Sequence, residues 1–475
     1  MPTTMSLGRG RDQRVPRAAE RGAVSWDHLR FLAFGMLMTL LWLVPNPNAA
    51  SFRDDPTAGR EGTAFIQVLW IAVLVFALFV SVDRWSAIRK QFDVTIIALV
   101  AWCSLTAAFA LVPDVSARRL IFTLTSMMIM CLTISGVRRM EAILWMLLGF
   151  CVIETLAKYF IVFEFPSFGK HLATGAEPQL AGLWKGQYAH KNAAGPVCAI
   201  ELMILYAARR HISLLVLSPL IAAELVFLFE SGSKTPLALL VFMMFLAKLL
   251  LRLRSGLAVS ALVLIGLAAL NLLTLASVVS DDARLITEKL VGDASFTGRV
   301  EVWRFLIKYS QDAPLMGAGF QSFWQIGNLS PAVAEGGNWV VSAVYGHQGF
   351  LDTIVMIGYP GLVLLLAFAV LRPAFDLARV RDKRSTMLEM FVTFWLFGLF
   401  TNGTESVFLG RADGTWLFLI AGVIGIRRFA FGDDERPPAR RAPVVPIAPG
   451  SGPFWPALAS PAGSPATQRR TPIPP

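Results

Sequence analysis

Two histidines stand immediately before long apolar runs, where an imidazole can carry proton-transfer chemistry. His347 lies in the run YGHQG at 345–349, and His190 opens the run HKN at 190–192. A histidine, with an ordinary pKa of about 6.5, takes or gives a proton near neutral pH. The alternative is an interfacial histidine that is hydrogen-bonded to backbone. Both histidines are therefore candidates for a general base.

Five cations occupy polar segments between apolar runs. Arg299 follows a Thr-Gly pair, Lys234 lies in the run SGSKTP at 231–236, Lys185 and Lys191 flank the run GQYAH, and Arg411 lies in the last such segment. Cations at this level can hold the phosphate or pyrophosphate of a lipid-linked substrate. The alternative is that their long side chains extend to lipid headgroups. For Arg299 and Lys234 together, the Gly and Ser neighbours support phosphate contact as strongly as contact with lipid headgroups.

Ionisable residues also lie inside apolar runs, and four of them, well away from the ends of their runs, are candidates for a function. Glu154 and Lys158 are four residues apart, so a helix would place them on one face, where they can form an ion pair. Glu201 and Glu224 lie in the next two runs, and acids inside a membrane are functional candidates. They would mark either a proton path or a polar cavity, and the sequence does not place them relative to the other residues.

The familiar nucleotide and metal motifs are missing from the sequence. It contains no Walker A loop, no Rossmann glycine fingerprint and no HExxH pair. No polar segment is long enough to form a nucleotide-binding domain, and no aromatic–basic pattern indicates nucleic acid. The sequence therefore predicts no metal, no cofactor and no nucleic-acid partner. Its substrate would arrive already activated, most simply on a lipid.

The composition predicts that these residues are positioned by a membrane-embedded helical bundle. Of 475 residues, 55% are hydrophobic and 16% charged, and the mean hydropathy is +0.59. A soluble domain has about a quarter of its residues charged, so an ordinary soluble enzyme is excluded. A disordered chain is excluded by the same apolar content. The four cysteines all fall in apolar runs, which predicts buried free thiols.

About twelve apolar runs approach the 20 residues that a membrane-crossing helix needs. They lie at 29–47, 64–82, 92–112, 118–135, 142–163, 192–208, 212–230, 235–251, 257–279, 350–371, 386–402 and 411–430. Twelve spans place both termini on one side of the membrane. The segments on that side hold 28 of the 43 Lys and Arg residues, so the positive-inside rule predicts that both termini are cytoplasmic.

The predicted organisation has five parts. A basic cytoplasmic N-tail (1–28) precedes spans one to nine (29–279), a large loop on the outer side of the membrane (280–349), spans ten to twelve (350–430) and a disordered, proline-rich cytoplasmic tail (431–475). Within the large loop, a surface helix is expected from about Arg299 to Ser310. Its apolar residues would be Val300, Trp303, Leu306 and Ile307, with Arg304 and Lys308 on the polar side.

Several motifs, in order, resemble the O-antigen ligase/polymerase family. The runs TGRVEVW (297–303) and APLMGAGF (313–320) are similar to the family's Gly-Arg-x-x-x-Trp helix and Pro-Leu-x-Gly-x-Gly loop. The run SGSKT (231–235) resembles its Ser-x-Ser-Arg-Thr turn, and HQGFL (347–351) with GYPGL (358–362) resembles its His-Asn-x-x-Leu…Gly-x-x-Gly-Leu segment. The segment 186–195 is similar to the Gly-x-x-x-His-Lys-Asn segment of ExoQ-type exopolysaccharide polymerases. The resemblance covers about 180 to 365.

The resemblance implies an all-α, GT-C-like membrane glycosyltransferase of the bacterial inner membrane, in which the large loop 280–349 between spans nine and ten would be periplasmic. Its donor would be an oligosaccharide on undecaprenyl pyrophosphate, and it would need neither metal nor nucleotide. A second glycan would be the acceptor, the lipid bilayer would surround the enzyme, and a chain-length regulator and a flippase are implied as further partners.

The resemblance also implies residue roles. Arg299 would hold the pyrophosphate, and Lys234 would do so as a point charge where many relatives have Arg. His347 would accept the proton of the acceptor hydroxyl, or orient that hydroxyl. Gln348 replaces a commoner Asn, and it joins the further candidates for substrate binding, which are His190, Lys191, Gln348 and Arg411.

Four functions remain in competition. The leading hypothesis is a polymerase that joins lipid-linked repeats into an exopolysaccharide or O-antigen chain, and the His-Lys-Asn segment favours it modestly. The second is a ligase that transfers a finished glycan to a lipid A core. A secondary transporter using Glu201 and Glu224 would show inverted repeats, which we do not find. A lipid-glycan flippase would need a large cavity but no catalytic histidine.

Overall fold

A computed structural model of the protein describes residues 26–43, 64–173, 178–280, 282, 285, 296–411 and 413–432. Over these residues the chain is helical, and its one described β-type pairing is an isolated bridge between Lys170 and Trp184. Short 3-10 turns lie at Val82–Arg84, Pro178–Leu180 and Gly327–Leu329, and a π-helical stretch lies at Ala367–Leu371. The α-helices are α1 Trp26–Leu43, α2 Ala64–Val80, α3 Trp85–Arg89, α4 Val94–Ala108, α5 Pro113–Gly136, α6 Met140–Glu164, α7 Pro166–Gly169, α8 Lys191–Ala208, α9 Leu214–Glu230, α10 Lys234–Arg252, α11 Gly256–Val279, α12 Phe296–Asp312, α13 Pro331–Glu335, α14 Asn338–Ser342, α15 Gly349–Leu366, α16 Arg372–Arg379, α17 Thr386–Thr401 and α18 Gly414–Phe431.

The predicted all-α polytopic membrane fold is confirmed, whereas the number of spans is not settled. A helix coincides with each of the twelve predicted runs. Among the described residues, six helical segments are long and apolar enough to cross a membrane: α5, α6, α10, α11, the continuous α15–α16 unit and α18. The pair α2–α3, bent by 61°, would be a seventh if it is one broken span. Helices α4 and α17 are apolar but shorter, so twelve spans stays a prediction.

Glycines bring the last two long helices, α17 and α18, into close contact. A Cβ on Gly422 would lie 2.6 Å from the backbone of Phe391 and of Trp395. Small residues allow such approaches between membrane helices, where packing rather than the hydrophobic effect drives association. Trp395 is fully buried there, and its indole N–H donates to the Ala369 carbonyl over 2.6 Å. This pair forms the centre of the bundle.

Helix α15 is broken at Gly358, and the loop after α12 fills the break. Gly358 has a φ of +72°, and a Cβ there would lie 1.9 Å from the Leu315 carbonyl oxygen. Ala318 N–H donates to the Val355 carbonyl (2.7 Å), and Tyr359 N–H donates to the Pro314 carbonyl (2.9 Å). The loop thereby satisfies the backbone groups that the break releases, as a membrane-buried helix requires.

The surface helix predicted within the large loop is present as α12. Val300, Trp303 and Leu306 are buried, whereas Arg304 and Lys308 are exposed, as the helical spacing predicts. The four cysteines are free and buried, which also agrees with the prediction. Residues 1–25 and 433–475, which hold nearly all of the two predicted tails, lie outside the described residues. The domain boundaries and the periplasmic placement of 280–349 stay predictions.

Candidate functional site

One carboxylate joins three distant segments of the chain at one end of the bundle. Glu405 lies in the connection between α17 and α18. Its Oε1 accepts from Arg299 Nη2 over 3.3 Å and from Asn192 Nδ2 over 3.2 Å, and its Oε2 lies 3.0 Å from His347 Nδ1. The structure therefore brings together Arg299 and His347, two residues that the sequence singles out separately.

Arg299 is held on the Glu405 connection by two acceptors. It lies in the first turns of α12, and its Nη1 also donates to the Thr404 carbonyl over 3.1 Å. Side-chain exposures of 15% for Arg299 and 17% for Glu405 show that the pair is partly shielded from solvent yet reachable. An ion pair in such a setting keeps its geometry better than a fully exposed pair does.

The backbone around His347 is fixed in an unusual conformation. His347 has a φ of +53°, in the left-handed region that few residues with a side chain adopt. On one side, Gly346 donates its N–H to Asp352 Oδ2 (2.8 Å), and its carbonyl accepts from Trp303 Nε1 (2.8 Å). On the other side, Gln348 N–H donates to Ser406 Oγ over 2.9 Å. Such over-determined strain is typical of functional positions.

Gln348 does not face the Glu405 cluster. Its side chain is fully buried and caps α15, because Oε1 accepts from the Leu351 N–H over 2.6 Å. Its amide also donates to Asn271 on α11. Through these contacts Gln348 holds α15 against α11. Its predicted substrate contact stays a prediction.

The predicted run HKN begins α8 and reaches the same carboxylate. His190 is the N-cap, and its Nδ1 accepts from the Asn192 N–H over 3.1 Å. The His190 ring packs edge-on against His171 with 4.7 Å between centroids, and His171 Nε2 accepts from the Lys191 N–H over 3.2 Å. Asn192 then donates to Glu405. The N-terminus of α8 therefore belongs to the site.

Lys234 lies beside this run rather than in the Glu405 cluster. It is exposed at the start of α10, and the preceding Ser233 donates its hydroxyl to the Lys191 carbonyl over 3.2 Å. Arg411 is exposed in the same connection as Glu405. Within the part of the chain that the structure describes, no hydrogen bond or ion pair joins either cation to Glu405, Arg299 or His347.

The charge of Glu405 fixes the roles of the two His347 nitrogens. Burial opposes ionisation of this carboxyl, but the positive charge of Arg299 and the His347 contact outweigh burial and lower its pKa below the ordinary value of 4.5. An ionised carboxylate only accepts hydrogen bonds, so His347 Nδ1 must be the donor. In the neutral ring Nε2 then carries the lone pair. This arrangement suits a general base, with Glu405 holding the required tautomer.

Sequence reasoning missed Glu405 and the role of Asn192. The cations drew attention because they suit a pyrophosphate, whereas an acid at such a site looks unfavourable. A usable signal was nevertheless present: Glu405 is an acid in a short connection that also carries the predicted cation Arg411.

A second polar cluster lies within the bundle below the N-terminus of α8. Lys158 donates to Glu201, and its Nζ lies 2.6 Å from Glu224 Oε2, with all three side chains buried. Glu154 instead accepts from Gln187 and Tyr188. The predicted Glu154–Lys158 pair is therefore corrected: the long lysine side chain reaches two neighbouring helices, which offer two carboxylates.

Comparison with known protein families gives a match over part of the chain. Residues 202–366 match the sequence model of a family described as O-antigen ligase. The matched stretch contains Lys234, Arg299 and His347, whereas Asn192 and Glu405 lie outside it. A search of curated proteins finds no match. The match over residues 202–366 supports the O-antigen ligase/polymerase family and, with it, a membrane enzyme that transfers glycans.

Proposed function

We propose that the protein is a polymerase that joins undecaprenyl-pyrophosphate-linked oligosaccharide repeats at the periplasmic face of the bacterial inner membrane. The observation that carries this proposal is the Glu405 carboxylate, which binds Arg299 and His347 at once. A glycan transfer from a pyrophosphate donor needs a base for the incoming hydroxyl and a cation for the leaving group. These are the two groups that Glu405 sets side by side.

The proposed step is a single displacement at the anomeric carbon of the donor. The acceptor hydroxyl oxygen forms the new glycosidic bond, and its proton passes to His347 Nε2. The bond between the anomeric carbon and the pyrophosphate oxygen breaks, and that oxygen keeps the electron pair. Glu405 stabilises the imidazolium that forms, because the Nδ1–H already points at its carboxylate.

Cations at the same end of the bundle would stabilise the leaving pyrophosphate. Arg299 provides a planar guanidinium within 3.3 Å of Glu405, and Lys234 provides an exposed ammonium on the turn that packs against Lys191. Electrostatic stabilisation of developing charge commonly contributes more to such catalysis than any other effect. His190, Lys191 and Arg411 are proposed to contact the remaining anionic or hydroxyl groups of the substrates.

The membrane placement is part of the proposal. The Lys and Arg distribution supports cytoplasmic termini, which would put the Glu405 connection, the 280–349 loop and the start of α8 on the periplasmic side. A flippase would deliver the lipid-linked repeat to that side, and a chain-length regulator would act on the growing polymer. The C-terminal residues 431–475 would form a disordered cytoplasmic tail.

The test is His347→Ala in the organism that encodes the protein, with lipid-linked intermediates and polymer measured together. We expect polymer to be lost and single repeats to accumulate on outward-facing lipid. His211→Ala is the matched control, since His211 is exposed just beyond the other end of α8 and packs edge-on against Trp145. Normal polymer in a membrane-inserted His347→Ala variant would overturn the proposal.

A ligase is the second candidate, because the matching family is described as O-antigen ligase. A ligase would use the same hydroxyl activation, with a lipid A core as acceptor. In the same experiment, accumulation of long lipid-linked chains, rather than single repeats, would identify the ligase.

A further inference from the structure

The segment just before α8 is tied to a buried acid on α6. Glu154 Oε1 accepts from both the Gln187 side-chain amide and the Tyr188 hydroxyl. Glu154, Gln187 and Tyr188 are each less than a tenth exposed. Buried hydrogen bonds to a carboxylate are stronger than neutral ones, and breaking them leaves a desolvated group without a partner.

The same segment rests on Lys158, one helical turn further along α6. Gly186 has a φ of +59°, and a Cβ there would lie 3.3 Å from Lys158 Cγ. The N–H groups of Lys185 and Gly186 both donate to the Gly169 carbonyl, over 2.8 Å and 3.0 Å. Lys158 is itself fixed by Glu201 on α8 and Glu224 on α9. These contacts therefore hold the segment before α8 in place against α6.

This anchored segment leads directly into the site. One residue separates Tyr188 from His190, the N-cap of α8, and Asn192 follows in the first turn. Asn192 donates to the Oε1 of Glu405, whose other oxygen orients His347. A contact chain of buried or partly buried groups thus runs from Glu154 to His347.

We propose that Glu154 is a positioning residue for glycan transfer, acting through Gln187 and Tyr188 on the start of α8. The inference rests on the proposed function of the Glu405 site. Glu154 fixes the position of the α8 N-terminus. Asn192, in the first turn of α8, in turn positions Glu405, and Glu405 orients His347. Misplacing a catalytic group by about 1 Å costs about 100-fold in rate, so a distant acid can govern the reaction without touching substrate.

The test compares three variants of the full-length protein in lipid nanodiscs. Glu154→Ala removes the acceptor, and Tyr188→Phe removes one donor but keeps the ring. Glu154→Gln removes the charge but keeps a carbonyl oxygen where Oε1 accepts both bonds. Tyr159→Phe is the control, because its hydroxyl donates to the Ala223 carbonyl (2.8 Å) rather than to an acidic side chain.

Two measurements are made on each variant. The first is transfer from a lipid-linked oligosaccharide, resolved into kcat and KM. The second is amide hydrogen exchange over residues 186–192, which does not depend on any activity. We expect Glu154→Ala and Tyr188→Phe to lower kcat by about 10- to 100-fold, to change donor KM less than about threefold and to speed exchange. Tyr159→Phe should behave like wild type, and Glu154→Gln, whose neutral carbonyl still accepts both bonds, should keep most of the wild-type kcat.

Two results would overturn the proposal. Unchanged exchange and unchanged kcat in Tyr188→Phe and in a folded Glu154→Ala would remove the positioning role. A loss in Glu154→Gln as large as in Glu154→Ala, with an altered pH profile, would instead make Glu154 a proton carrier. If wild type transfers no glycan, the proposed function fails, and the exchange experiment alone still decides whether Glu154 positions the start of α8.

Discussion

At the scale of single residues, the site depends on one carboxylate with three donors. Glu405 pairs with a guanidinium, an amide and an imidazole, and each donor comes from a different helix start or connection. Any residue that keeps the size of Glu405 but changes its hydrogen-bonding roles therefore disturbs the His347 imidazole, the Arg299 guanidinium and the α8 N-terminus together.

Glu405→Gln should abolish efficient transfer without unfolding the protein. The new amide can still accept from Arg299 and Asn192 through its oxygen, but its nitrogen then donates to His347 Nδ1. The imidazole is forced into the other tautomer, and Nε2 loses the lone pair that takes the proton. We expect kcat to fall by about 10²–10⁴-fold, measured as transfer from lipid-linked oligosaccharide.

The control for this substitution is Glu335→Gln, which changes an exposed carboxylate on α13. Its kcat should stay within about twofold of wild type, since an exposed side chain away from the site contributes little. Transfer by Glu405→Gln at the control's rate would contradict the tautomer argument.

The sequence predicted the members of the site better than their arrangement. His347 stands out because it is a histidine immediately before an apolar run, and Arg299 because it is a cation in a polar segment. Glu405 does not, because its value comes from contacts with residues 58 and 106 positions away in the chain. No local pattern reports such contacts. Lys234 and Arg411 show the reverse case, since their charge singles them out but the structure leaves them outside the Glu405 contacts.

At the scale of helices, Lys158 is the junction of α6, α8 and α9. The four-residue spacing predicts a pair within α6, yet the lysine pairs with acids on the two neighbours. Between helices, its ammonium meets two carboxylates instead of one, which better offsets the cost of burying it. The spacing rule describes neighbours on one helix and says nothing about acids on another.

Lys158→Met should destabilise the protein strongly. It leaves Glu201 and Glu224 buried without their cation, and removing one partner of a buried ion pair costs about 3–5 kcal/mol. The melting temperature in detergent should fall markedly. Adding Glu201→Gln and Glu224→Gln to the same chain should restore most of the loss.

The control is Lys248→Met on α10, where the lysine is exposed. Its effect on stability should stay within about 0.5 kcal/mol. Equal melting temperatures for the two single variants would show that the buried junction contributes nothing to stability.

At the scale of the whole molecule, close backbone approaches join the loop after α12 to the membrane helices. The loop after α12 crosses α15 at Gly358 and α4 near Gly319, where a Cβ would lie 2.3 Å from Ala110. The family-like glycines at 317, 319 and 358 all have positive φ. The sequence predicted the helices around this loop, but not the break in α15, because a Gly-Tyr-Pro-Gly run is also tolerated in a straight membrane helix.

Gly358→Ala should lower stability by more than about 3 kcal/mol, since a left-handed backbone and a steric clash add. The Cβ would collide with the Leu315 carbonyl oxygen, and the loop after α12 would lose its close contact with α15. Gly327→Ala is the control, with a φ of +67° but open space around the Cβ, and it should cost about 1–2 kcal/mol. Folded yield after purification and heating measures both. Similar losses would assign the effect to backbone strain alone.

On the proposed function, the position of Glu405 along the chain would determine when the site is first complete. His347 and Arg299 are synthesised within the matched stretch 202–366, whereas Glu405 follows in the connection between α17 and α18. On the proposed function, a nascent protein already displays its base and its arginine beside lipid-linked glycans while translation continues. If His347 is the base, it would lack its orienting carboxylate until Glu405 has been synthesised, and a chain that ends before Glu405 would be inactive.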